Sequence, residues 1–264
     1  MAVVPIDDIL ASAAVLDRLW PEERAAVGAM APWRAREHLA GRALLRLLLT
    51  GPLGEAGARS PLVPEPGGRP RLPGFPRTGV SVSHSGPYVA AAVATGLDVG
   101  VDVQTPQEPS PGMLRRCCSP RTAARLAKLP PDRAARAFAE VWTVQEACVK
   151  ANGTGLSGAP WRLPAEPGRP SGAWGGLRWQ RLPWPATADP RHAAALAVAF
   201  GTPSADDGPP TPPSRSDFVP GPTPHSNSVS APTPHSHFAS APPPGRGTAR
   251  NRAGQDPAHR PAPR

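Results

Sequence analysis

The sequence is poor in cysteine and tyrosine, and each shortage excludes or disfavours a class of site. It has three cysteines, two of them adjacent, which fit neither a disulfide framework nor a zinc-ligand spacing. Tyr88 is the single tyrosine, which disfavours a nucleic-acid surface built from exposed aromatic side chains. No Ser-His-Asp or Cys-His arrangement for nucleophilic catalysis is evident in the sequence.

The chain also lacks a long hydrophobic run. The longest candidate, residues 43–49, is interrupted by Arg46, whereas a membrane helix needs about 20 mostly apolar residues. The N-terminal residues do not combine a basic segment with a following apolar run, which is the pattern of a secretory signal. We therefore expect a cytoplasmic protein that does not contact a membrane.

Lysine is scarce although the chain is basic. The net charge is +9, yet Lys128 and Lys150 are the only lysines among 29 basic residues. Codon bias in a GC-rich genome explains most of this composition, because Ala, Gly, Pro and Arg are all abundant. A basic surface would also steer anionic partners towards the protein, and nucleic acid fits the charge as well as an acidic protein or a nucleotide does.

Composition divides the chain into a foldable part and a tail. Residues 202–264 hold 16 prolines and almost no aliphatic side chains, and PTPHS occurs at residues 222–226 and 232–236. Such a segment cannot bury enough apolar surface to offset its chain entropy. We predict one folded domain at residues 1–201 and a disordered tail at 202–264. The tail also holds four of the seven histidines; metal binding there is the alternative to a solvated extension.

Within residues 1–201 the hydrophobic pattern predicts helices and then strands, twice over. This indicates an α+β fold of two similar halves, at about residues 1–104 and 105–201. The first predicted helix begins at Pro21. The second begins at Pro32 and ends at Gly51-Pro52. Three more cover residues 113–117, 120–128 and 132–151. The predicted strands cover residues 79–83, 88–94, 98–103, 176–182 and 193–200.

Three short segments carry side chains suited to phosphate chemistry: SVSHS at 81–85, GVDVQ at 100–104 and WTVQEACVK at 142–150. In the second, predicted as a strand, Asp102 and Gln104 share a face because alternate strand residues do. In the third, predicted as a helix, Glu146 and Lys150 share a face because they are four apart. Acids on two elements with a lysine nearby predict a Mg²⁺ and phosphate site; an exposed Glu-Lys ion pair is the simpler alternative.

In this order, these segments resemble the 4'-phosphopantetheinyl transferases. The resemblance is to the longer, monomeric class that acts on carrier proteins of polyketide and nonribosomal peptide synthesis. Seven matches in register across residues 1–201 are more specific than any one motif. The resemblance implies two halves related by a pseudo-twofold axis, with the ligand between them. The four further matches are REHLAGRALLR at 36–46, GRP at 68–70, the strand at 88–94 and GTGL at 153–156.

The resemblance implies transfer of the 4'-phosphopantetheine arm from coenzyme A to a serine of an apo acyl or peptidyl carrier protein. The reaction would depend on Mg²⁺ and release 3',5'-ADP. Asp102, Gln104 and Glu146 would hold the metal ion. Glu146 would also take the serine proton, and Lys150 would neutralise charge on the pyrophosphate.

The resemblance further implies coenzyme A contacts from five residues. Ser83 and His84 would contact a phosphate, although a lone histidine is more often a buried structural residue. Arg42 and Arg69 would bind the 3'-phosphate or the adenine side, with Arg69 standing where the family has lysine. Arg36 matches a position in the motif at residues 36–46. The alternative to a coenzyme A contact is that Arg36 is only a solvated helix residue.

One departure from the family leaves another function open. The family has an acid where this chain has Gln104, which offers Mg²⁺ only a neutral carbonyl oxygen. The alternative is therefore a catalytically weak or inactive protein that binds coenzyme A or a carrier protein. A basic nucleic-acid-binding protein is the remaining alternative, and the scattered core arginines disfavour it.

Overall fold

The computed structural model describes residues 1–65, 67–185 and 193–202. It is a mixed fold of helices and antiparallel strands, which confirms the predicted α+β class. The first elements are β1 (Ala2–Pro5), α1 (Ile6–Ala11), α2 (Ala13–Leu16), α3 (Pro21–Ala25), α4 (Pro32–Ala58), β2 (Val63–Pro64), β3 (Pro70–Arg71), β4 (Thr78–Ser85), β5 (Tyr88–Thr95) and β6 (Asp98–Gln104). There follow α5 (Pro111–Cys117), α6 (Pro120–Leu126), α7 (Pro131–Ala151), two 3-10 turns (Gly155–Gly158 and Pro160–Arg162), β7 (Ser171–Trp174), β8 (Leu177–Arg181) and β9 (Ala195–Gly201).

The first sheet is three-stranded, in the order β1-β5-β4. β4 and β5 form a hairpin through the turn at Gly86, whose φ of 57° lies in the left-handed region that glycine tolerates. Helix α4 covers this sheet with a row of buried aliphatic side chains that includes Leu44, Leu45 and Leu49. The contact is close, because a Cβ on Gly41 would lie 2.7 Å from Cγ1 of Val82.

Helix α4 does not end where the sequence predicts. It continues through Pro52 to Ala58, with a break at Gly54, whose φ is 63°. The buried guanidinium of Arg46 explains the extra turn, because it donates to the carbonyl oxygens of Ala58 (2.7 Å) and Ser60 (3.2 Å). These bonds hold carbonyl groups that the end of a helix otherwise leaves unpaired.

The second sheet is four-stranded and antiparallel, in the order β6-β9-β8-β7. Helix α7 packs across it through buried residues that include Val144, Ala147 and Ala151. Gly100 on β6 permits this packing, because a Cβ there would lie 2.0 Å from the carbonyl oxygen of Ala147. The backbone of α7 therefore lies directly against the backbone of β6.

The two sheets meet along β4 and β6, which are their edge strands. Ser81, Ser83 and Ser85 of β4, called here the serine ladder, alternate along the strand and therefore share a face. Their hydroxyl oxygens take the place of a backbone partner for β6. They accept hydrogen bonds from the backbone N–H groups of Val101 (3.0 Å), Val103 (3.3 Å) and Thr105 (3.0 Å), respectively.

The predicted elements from β4 to α7, together with β8 and β9, are present within a few residues of their expected bounds. The sequence pattern did not indicate the short elements β1, α1, α2, β2, β3 and β7. β6 was assigned to the first half, but it pairs with β9 of the second sheet. The predicted tail falls almost wholly outside the described residues. No helix in the described ranges combines the length and apolar character that crossing a membrane requires.

Candidate active site

A groove beside the sheet junction is formed by two cavities that share Gly68, Pro70 and Val82 in their walls. The first, called here the acidic cavity, has a volume of about 480 Å³. The second, called the basic cavity, has a volume of about 300 Å³. The polar side chains that line the acidic cavity are Arg69, Ser81, Glu146 and Lys150, and those that line the basic cavity are Arg34, Glu37, His38, Arg42 and His84.

Asp102 is buried where β6 meets both β4 and α7, and its carboxylate contacts Lys150, which lines the acidic cavity. Its Oδ1 accepts hydrogen bonds from Nζ of Lys150 at 2.6 Å and from Oγ of Ser83 at 2.7 Å. Its Oδ2 is buried and has no hydrogen-bond partner among the described residues. Because leaving a buried polar atom unpaired costs about 1–3 kcal/mol, this oxygen marks a place where a ligand would be stabilised.

Glu146 precedes Lys150 by one turn of α7, on the same face of the helix. Burial raises its pKa from 4.5 to about 7; the ammonium of Lys150 opposes this shift and the carboxylate of Asp102 adds to it. Its Oε1 is buried, again without a partner in the described part of the chain. Trp142, one turn earlier, is half-buried and stacks on Phe138 with ring centroids 6.4 Å apart, as a core aromatic would.

The donor set of the acidic cavity fits a hard divalent cation. Asp102 and Glu146 each have one unpaired buried carboxylate oxygen, and such oxygens are the ligands that Mg²⁺ prefers. The described residues contain no cluster of three or more His, Cys, Asp and Glu side chains. Mg²⁺ is usually held by one or two carboxylates and completes its coordination with water and substrate phosphates.

Gln104 lies on the same face of β6 as Asp102, as the strand period predicts. Its side chain is half-buried, and its Nε2 donates to the carbonyl oxygen of Thr105 at 3.0 Å. The amide nitrogen is therefore engaged locally, which leaves the amide oxygen as the group that could serve as a ligand.

The basic cavity is suited to an anion. Nη1 of Arg42 is buried with no hydrogen-bond partner among the residues described, and burial lowers the pKa of this guanidinium. Burial also lowers the pKa of His38, and the charge of Arg42 adds to the effect. Nδ1 of His84 lies 3.3 Å from Oε2 of the buried Glu37, which is an ion pair when the histidine is protonated. A bound phosphate would compensate the buried charge of Arg42.

Two of the predicted coenzyme A contacts are engaged in ion pairs within the fold, although Arg69 also lines the acidic cavity and its buried Nε has no hydrogen-bond partner among the described residues. The buried guanidinium of Arg69 donates to the carboxylate of Asp98 and to the carbonyl oxygen of Ala151, at 2.7 Å for the latter. It thus ties the β2-β3 hairpin to β6 and to the end of α7. Arg36 pairs with Asp7 at the surface, because it lies on a different face of α4 from Arg42.

The predicted contact at Ser83 is also engaged within the fold. Its hydroxyl is buried and bonded to both Val103 and Asp102. Of the predicted coenzyme A contacts, Arg42 and His84 line the basic cavity and Arg69 lines the acidic cavity.

Sequence reasoning missed Ser81, Glu37 and His38, which line the groove. The signal for Ser81 was the alternation of small residues at 79, 81, 83 and 85, which indicates that another backbone approaches that face of the strand. A Cβ on Gly79 would indeed lie 2.3 Å from the carbonyl oxygen of Leu97. Glu37 and His38 could have been found from their helical spacing to Arg34 and Arg42.

The three thiols do not add a nucleophile to the site. Burial raises the pKa of Cys117 and Cys118 to about 11 and that of Cys148, inside the motif of α7, to about 12. Only the thiolate is a strong nucleophile. At neutral pH these side chains are protonated, and the buried Cys117 and Cys148 serve as packing groups.

Comparison with known proteins gives a match to the second part of the chain. A 4'-phosphopantetheinyl transferase superfamily profile matches residues 98–171, a range that contains Asp102, Glu146 and Lys150. A protein of Synechocystis sp. that is provisionally named a 4'-phosphopantetheinyl transferase is 31% identical over 132 residues, which is 48% of this chain and 53% of that protein.

Two further relatives carry the same name. The 4'-phosphopantetheinyl transferase HetI of Nostoc sp. is 30% identical over 131 residues, 48% of this chain and 55% of its own length. A 4'-phosphopantetheinyl transferase of Bacillus subtilis is 29% identical over 90 residues, 34% of this chain and 40% of its own. The chain spans about half the length of the first two relatives and less of the third. These matches support the resemblance to the 4'-phosphopantetheinyl transferase superfamily, and residues 98–171, which hold both candidate metal-binding acids, are the segment that its profile matches.

Proposed function

We propose that this chain transfers the 4'-phosphopantetheine arm of coenzyme A to a serine hydroxyl of an apo acyl or peptidyl carrier protein. One observation supports this most strongly. In the segment matched by the superfamily profile, Glu146 and Lys150 line one end of a groove and Asp102 is bonded to Lys150; each acid has a buried carboxylate oxygen without a partner among the described residues. The basic cavity at the other end offers Arg42 and His84 for an anion.

The groove suits a molecule with phosphate groups at separate positions. In the proposal, the pyrophosphate of coenzyme A lies in the acidic cavity beside Lys150, and the 3'-phosphate lies in the basic cavity. Val82 and Pro70, shared by both cavities, form the wall between the two positions. Ion pairing with Arg42 and with a protonated His84 would hold the 3'-phosphate by charge-assisted hydrogen bonds.

Asp102 and Glu146, with the amide oxygen of Gln104, would hold Mg²⁺. When bound, Mg²⁺ supplies Lewis-acid stabilisation of negative charge on the pyrophosphate. Lys150 is held by Asp102 at the edge of the site, where its ammonium group offsets charge on the leaving phosphate.

The chemistry proposed is a phosphoryl transfer. The serine oxygen of the carrier protein forms a bond to the β-phosphorus, the bond from that phosphorus to the bridging oxygen breaks, and 3',5'-ADP leaves with the bonding electrons. Glu146 takes the serine proton. A carboxylate within hydrogen-bond reach of the hydroxyl, directly or through one water, can serve as the general base.

The finer features of the proposal follow the resemblance. We infer a cytoplasmic monomer of the longer class, with its two halves related by a pseudo-twofold axis. Each sheet with its long helix, α4 on the first and α7 on the second, supports that relation. Residues 1–201 would form the catalytic domain.

Mass spectrometry of an apo carrier protein tests this function. Incubation with the chain, coenzyme A and Mg²⁺ should increase the carrier mass by one phosphopantetheine arm, and Asp102→Ala and Glu146→Ala should each abolish the increase while keeping native circular dichroism. Arg36→Ala is the matched surface control, because Arg36 pairs with Asp7 outside the groove. If carrier mass never changes although coenzyme A binds, the chain is instead an inactive binding protein.

A further inference from the structure

The three hydroxyl groups of the serine ladder accept the same kind of backbone hydrogen bond but differ in their other hydrogen-bond partners. Each accepts a hydrogen bond from a backbone N–H of β6 or of the residue that follows it. Ser83 also donates its proton to Oδ1 of Asp102 at 2.7 Å, whereas Oγ of Ser85 lies 2.8 Å from Oγ1 of Thr105. Ser83 therefore connects the sheet junction to the carboxylate that holds Lys150 of the acidic cavity.

These contacts determine which carboxylate oxygen of Asp102 is available to bind a cation. Oδ1 takes both strong donors, Ser83 and the ammonium of Lys150 at 2.6 Å. Oδ2 is left buried and unpaired within the described structure. Lys150 alone would leave the carboxylate free to rotate, because a flexible ammonium group donates from many directions. Ser83 is itself held by Val103, so it defines the direction of the second bond.

We propose that Ser83 is a positioning residue for the metal site: it holds the carboxylate of Asp102 with Oδ1 towards Lys150 and Oδ2 free for a divalent cation. This rests on the proposed function and deepens it. The proposal also replaces the phosphate contact expected for Ser83. A serine hydroxyl has one proton, and a proton donated to Asp102 cannot also be donated to a phosphate. In addition, Ser83 is only 5% exposed.

Metal binding by the free protein tests the inference without relying on turnover. Mn²⁺ binding, followed by electron paramagnetic resonance in the absence of coenzyme A, should be about tenfold or more weaker in Ser83→Ala, the loss typical of a group that orients a metal ligand. Ser85→Ala is the matched control, because it removes a buried hydroxyl with the same kind of backbone bond and no contact to Asp102. Ser83→Thr, which keeps the hydroxyl, should recover most of the wild-type affinity.

A second measurement separates positioning from direct phosphate binding. Affinities for coenzyme A and 3'-dephospho-coenzyme A, measured without metal, should change equally and little in Ser83→Ala. Selective loss of coenzyme A affinity would overturn the inference, since it would show a 3'-phosphate contact. Equal Mn²⁺ affinities for Ser83→Ala and Ser85→Ala, with both variants folded, would overturn it too.

Failure of the proposed function gives a different result. If the wild type binds Mn²⁺ and Ser83→Ala binds it weakly, but carrier proteins are never modified, the positioning inference stands and the transferase proposal fails.

Discussion

Replacing Glu146 by glutamine should change how the stability of the metal-free protein depends on pH. The carboxylate is buried on α7, beside the negative charge of Asp102, and its Oε1 has no hydrogen-bond partner in the described chain. These surroundings disfavour the charged form, although Lys150 partly compensates it. Glutamine keeps the shape of the side chain and removes the charge, so it isolates the free-energy cost of ionisation.

The raised pKa determines whether the stability of the folded protein rises or falls with pH. Folded Glu146, with a pKa of about 7, binds a proton more tightly than the unfolded chain, whose value is 4.5. Its contribution to stability is therefore fully present below pH 4.5 and is lost as the pH rises through about 7. Each pKa unit corresponds to about 1.4 kcal/mol, so the folded wild type loses about 3 kcal/mol between these limits. In a protein of this size that corresponds to a fall in Tm of about 6–12 °C.

Tryptophan fluorescence during urea and thermal unfolding, with EDTA present, measures this effect between pH 5.5 and 8.5. Glu146→Gln should be more stable than the wild type at pH 8.5 and should approach it at pH 5.5. Addition of Mg²⁺ at pH 8.5 should stabilise the wild type, because a ligand of the folded state raises its stability, and should stabilise the variant less.

Asp132→Asn, which removes an exposed acid from the first turn of the same helix, is the control and should keep the wild-type slope. The reasoning is refuted if Glu146→Gln keeps that slope too, or if it is the less stable protein at pH 8.5.

Three further predictions concern other parts of the site. Gln104→Glu should lower the Mg²⁺ concentration needed for half-maximal carrier modification, because it adds a charged oxygen beside Asp102; a higher requirement would argue against Gln104 as a ligand. Gly100→Ala should lower the free energy of unfolding by about 1–3 kcal/mol in urea titrations and reduce activity, since α7 must move away from β6; an unchanged unfolding midpoint would contradict this. Arg42→Ala should raise the KM for coenzyme A far more than Arg36→Ala does in steady-state kinetics, because Arg36 is already paired at the surface; equal effects would remove Arg42 from the binding site.

The core of the candidate site was predictable because it depends on short-range periodicity. Asp102 and Gln104 share a face of a strand, and Glu146 and Lys150 share a face of a helix; both relations follow from the geometry of one element. The meeting of β6 with α7 was an implication of the family resemblance. The small residue at Gly100 is the sequence feature that permits that contact.

The roles of Arg69 and Ser83 could not be predicted in the same way. Each matches a motif position, but its hydrogen-bond partners come from segments distant in sequence. Arg69 bonds to Ala151, 82 residues away, and Ser83 bonds to Asp102, 19 residues away. The prediction that α4 ends at Gly51-Pro52 was wrong for a related reason, because the buried guanidinium of Arg46 holds the extra turn at Ala58. Local sequence indicates which residue types can bind phosphate, whereas tertiary contacts decide which of them remain available.

The same contacts explain why a metal site would form at this junction. β6 is an edge strand, and an unpaired edge would expose backbone N–H groups that need partners. The serine ladder satisfies them with side-chain hydroxyls, each of which still has a proton to donate. At Ser83 that proton goes to Asp102, so the bonds that join the two sheets also orient the carboxylate. A substitution that loosens the junction at residue 83 should therefore weaken cation binding even if the overall fold is unchanged.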